Sequence, residues 1–163
     1  MSEVTNELHL QIFRASRFAD WIYHDVRLDC DDMANQRTQE RLQVIDNQFG
    51  QEAMFGMAGW WTISAYWRLE EAYKMHNHMP PEILPRNVEE NLADESQPAE
   101  KRRAFVTAQQ FMAAIIRDDV EMASAIFGAA YTSSTEDYTA LMYTVLLLSV
   151  KMSNTADNLK RQA

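Results

Sequence analysis

Cysteine occurs once in 163 residues, and glycine and proline four times each. Each scarcity excludes something. Cys30 alone can form neither an internal disulfide nor a zinc site built from several thiolates. Four glycines and four prolines are too few for the many tight turns of an all-β sandwich, whereas a helical chain needs only a handful of breaks. Long apolar runs are also missing. The longest, Ala140 to Val150, is interrupted by Thr144 and Ser149 and falls well short of the roughly 20 residues of a membrane-spanning helix. It reads as core, and no membrane association is expected. Met1 to Leu10 is polar and acidic and lacks the basic-then-apolar order of a secretory leader, so a cytoplasmic location is expected.

Basic side chains are in deficit: 15 Lys and Arg against 24 Asp and Glu leave a formal charge of −9. Residues 1–79 carry 7 basic and 12 acidic groups, residues 80–98 carry 1 and 5, and residues 99–163 carry 7 and 7. The excess therefore lies entirely in the first 98 residues. An acidic surface repels phosphate backbones, so no nucleic-acid partner is expected, and negative charge of this size keeps a protein soluble.

What is present favours helices. With 47% hydrophobic and 24% charged residues, the chain has an ordinary globular composition and the length of one domain. The expected architecture is an all-α, single-domain bundle over 1–163, with about six main helices in two helical blocks, 1–79 and 99–163. All four prolines (Pro80, Pro81, Pro85 and Pro98) fall in the intervening connector, 80–98, where they interrupt helix. A short helix is expected there from Asn87 to Ala93.

In the first block, Leu8, Ile12, Ala15, Ala19, Ile22, Val26, Cys30 and Met33 recur at helical steps and predict a helix over Val4 to Met33. Leu10, Trp21 and Leu28 form a second, thinner seam on it. A shorter helix, Thr38 to Gln48, ends at Gly50, the residue type that terminates helices. The next, Gln51 to His76, carries a stripe of Met54, Ala58, Trp61, Ala65, Leu69 and Ala72, with Trp60, Ile63 and Trp67 on a different face. Being apolar on two sides, it is expected at the centre of the bundle, with Gly56 and Gly59 allowing close approach of a neighbour.

In the second block, Phe105, Ala108, Met112 and Ile115 predict a helix over Ala99 to Arg117. Another follows through Val120, Ala123, Phe127 and Ala130, and a last one from Thr135 to about Leu159. Ser133 and Glu136 have the spacing of a capping box between these two. Lys160 and Arg161 stand where the negative end of the last helix dipole favours cations. The segment Arg117 to Ala123 resembles the tight interhelix turn of tetratricopeptide-like hairpins, but that family's 34-residue pattern does not recur, so a repeat array is not expected.

Four features bear on chemistry. His76 and His78 are two residues apart, a separation that turns them about 200° from each other on a helix, so they are read as solvent-exposed helix-end histidines and no metal is assigned. His24-Asp25 resembles the signature pair of HD-type metal-dependent phosphohydrolases. The only upstream histidine, His9, lies on the same predicted helix, ~22 Å away, too far to share an ion. Glu70-Glu71 resembles the acidic pairs of all-α nucleotide pyrophosphohydrolases, which hold Mg²⁺ between facing helices. The partner helix such a site requires would have to come from Glu89, Glu90 and Asp94 in the connector, where the spacing fails. Asp25, Asp29 and Asp32 are read as an acidic solvated face.

The fourth feature, the aromatic group Trp60, Trp61, Tyr66, Trp67 and Tyr73, leads to the main expectation. Large aromatics both fill cores and anchor interfaces. The seams Trp60, Ile63, Trp67 and Trp21, Leu28 are the candidate interface residues, and self-association as a homodimer or binding of another protein is the expected role. No catalytic residue and no cofactor is assigned. A metal-dependent nucleotide phosphohydrolase with carboxylate ligands on facing helices and a small-ligand-binding helical bundle are the alternatives.

Overall fold

The computed structural model describes residues 32–76 and 99–162. Every regular element among them is an α-helix: α1 (Asp32–Met75), α2 (Ala99–Ile116), α3 (Val120–Ser133) and α4 (Thr135–Arg161). Among the described residues the all-α bundle expectation holds, and the expected helices before and after Gly50 are the two arms of α1. The segments Thr38 to Gln48 and Gln51 to His76 belong to one run, α1, in which only Gly50 leaves helical dihedrals, at φ 81°, ψ −174°. All but the last two residues of the expected Val4 to Met33 helix lie outside the described residues. So do Trp21, Leu28, His24, Asp25, His78 and the connector with Glu89, Glu90 and its Asn87 to Ala93 helix.

The chain falls into two compact units, Met1–Trp61 and Thr62–Ala163. In the first, the part of α1 before Gly50 buries Thr38, Leu42 and Ile45 and leaves Val44 exposed. The part after Gly50 buries Ala53, Met54, Met57, Ala58 and Trp61. These are three- and four-residue steps along one helical face.

In the second unit, α2, α3 and α4 each pack against the other two. An aromatic cluster joins them. The Phe127 ring of α3 lies 6.0 Å from Phe111 of α2, 5.9 Å edge-on from Tyr138 of α4 and 6.3 Å from Tyr131 of its own helix. Tyr131 and Tyr138 meet edge-to-face at 4.9 Å. Perpendicular and offset rings at these spacings are the arrangements the ring quadrupole favours. The end of α1 belongs to this unit as well: Leu69 and Ala72 pack on Ala156 of α4, with Tyr73, Met152 and Leu159 against them.

The turns between these helices are closed by polar groups. After α2, Asp118 takes φ 60°, and the amides of Asp118 and Asp119 donate to the carbonyls of Ile115 (3.1 Å) and Ala114 (2.8 Å). This is the Schellman arrangement, with aspartate in the left-handed position more often held by glycine. Asp119 then caps α3, its Oδ1 accepting from the Met122 amide at 3.1 Å. At the start of α4 the cap is Ser134, whose Oγ accepts from the Asp137 amide at 3.0 Å. The expected box of Ser133 and Glu136 is therefore displaced by one residue. Ser133 instead donates to Asp137 Oδ2 at 2.7 Å, so two serines converge on one aspartate. Lys160 and Arg161 do occupy the last turn of α4.

Burial departs from the sequence reading in a few places. Val120, read as part of the α3 stripe, is exposed; Ala123, Phe127 and Ala130 are buried as expected. Leu147 is exposed within the otherwise core-forming Ala140 to Val150 stretch. On α2, Ala108 and Met112 are buried while Phe105 and Ile115 are only half-buried, and Phe111 takes the innermost place.

Candidate interaction surface

The stripe expected on α1 is the side that is buried: Met54, Ala58, Trp61, Ala65, Leu69 and Ala72 are all nearly inaccessible. The other face is open. Trp67 is 57% exposed and Trp60 41% exposed, against 1% for Trp61. Ile63 is half-buried, while Arg68, Glu71, Lys74 and Met75 are exposed. The central place expected for this helix, with both apolar faces packed, is not seen at Trp60 and Trp67. Alanines at 53, 58, 65 and 72 make its inner side narrow, and the bulky indoles of Trp60 and Trp67 remain in solvent.

Around Trp67, in the second unit, charges are arranged in fixed pairs. Lys74 reaches Glu70 one turn back at 3.3 Å, the favourable order for an i, i+4 pair. Lys160 of α4 reaches Glu71 at 2.7 Å. That hydrogen bond, and then the lysine's charge, hold the Glu71 carboxyl below its ordinary range. Both groups are open to water, so the pair adds little stability on its own. It does fix where the last turn of α4 lies along α1.

His76 reinforces the same junction. Its ring Nε2 lies 2.7 Å from the carbonyl oxygen of Leu159. A carbonyl can only accept, so Nε2 carries the proton and donates. His76 is thus half-buried and bonded to α4, rather than a solvent-exposed helix-end residue. Nothing local in the sequence signals either contact, since the partners are 83 and 89 residues apart.

Of the carboxylates considered for metal chemistry, the side chains of Glu70 and Glu71 are described, and Asp25, Asp29, Glu89, Glu90 and Asp94 lie outside the described residues. Glu70 and Glu71 each face a lysine, and among the described residues no group of three or more His, Cys, Asp or Glu could hold a metal ion. Nor, among those residues, is any helix long and apolar enough to cross a membrane. Two buried polar groups of the second unit stand out: Gln109 Oε1 and Ser153 Oγ have no hydrogen-bond partner among the described residues. No family model, no curated protein and no solved structure matches this chain.

Proposed function

We propose that the chain is a protein-interaction module that pairs with a second copy of itself through the open face of α1, with no catalysis of its own. The observation that supports this reading most is the exposure of Trp67, at 57% of its surface. An indole in water forgoes the largest burial any side chain offers, and tryptophan is among the residues most enriched at the energetic centres of interfaces. Trp60, seven residues earlier, is exposed as well. A face of this kind that meets its own copy across a two-fold axis buries the exposed indoles of both chains. The ion pairs Glu70–Lys74 and Glu71–Lys160 give it a polar border of both signs, as interface rims have.

The test is the mass in solution, by size-exclusion chromatography with light scattering over a wide concentration range, for the wild type and for Trp60→Lys and Trp67→Lys singly and together. The expected result is a wild-type dimer that Trp67→Lys splits into folded monomers with an unchanged helical circular-dichroism spectrum. A wild type that stays monomeric at every concentration, with partners absent, would defeat the self-pairing reading.

A further inference from the structure

We draw no further inference here: the strongest candidate, the exposed apolar surface at the start of α3, where Val120 and Met122 lie open to water in a helix whose one charged residue is Glu121, carries nothing because nothing among the described residues shows what covers it.

Discussion

Among the described residues the helical chain is interrupted at Gly50, at Asp118–Asp119 and at Ser134, and the first interruption is built unlike the other two. At Asp118–Asp119 the backbone closes a Schellman pair and an aspartate caps the next helix. At Ser134 a hydroxyl caps α4, and Ser133 bonds the same aspartate, Asp137. These two turns join helices that share the ring cluster of Phe111, Phe127, Tyr131 and Tyr138. At Gly50 there is an unusual dihedral pair and open space around it. Turns made from several hydrogen bonds beside a packed core resist change at any single atom. A break made by one glycine depends on that glycine alone.

The largest loss is expected at the ring cluster. Phe127→Ala should cost about 3–5 kcal/mol, read by urea denaturation, because the ring is buried and meets three others. A loss under 1 kcal/mol would mean that the capped turns, and not the core, hold α2, α3 and α4 together. Gly50→Ala comes next. At submicromolar concentration, where monomer dominates, it should lower stability by about 1–3 kcal/mol from backbone strain alone. Asp119→Ala and Ser134→Ala should each cost roughly 1 kcal/mol, the usual worth of an N-cap. Their effects should add, since they cap different helices.

The smallest expected effect concerns pH. Lys160 holds the Glu71 carboxyl below the ordinary value of 4.5, so the pair contributes fully above that pH. The contribution is lost as pH falls through the lower folded-state value. Wild type and Lys160→Met should therefore differ in melting temperature at neutral pH and converge in acid. A gap that widened in acid would reverse the sign assigned to the pair.

Much of this was legible in the sequence where the signal is local. The stripe from Met54 to Ala72 on α1 follows from helical periodicity, and the break at Gly50 from residue type. The start of α4 at Thr135 follows from the serine-rich turn before it. The position of its cap did not. Ser133 and Ser134 each precede an acidic residue by three positions, and only the extended backbone of Ser134, at φ −156°, selects between them. The helical wheel showed that α1 has two apolar faces, but a wheel carries no information about which of them has neighbours. That Trp67 faces water while Leu69 packs on Ala156 is a tertiary fact. The contacts of His76 and Glu71 with the end of α4 are tertiary in the same way. Gln109 and Ser153 show the limit from the other side, since a polar residue on a helix reads as surface and these two are buried.

The claim that the open face of α1 is an interface is tested most directly by hydroxyl-radical footprinting of Trp67 across a concentration series, with the mass followed in parallel by light scattering. The expected result is that Trp67 oxidation slows several-fold as the mass doubles, while the buried Trp61 stays unreactive throughout. A mass that doubles with Trp67 oxidation unchanged would place the contact elsewhere on the molecule, and would contradict the account.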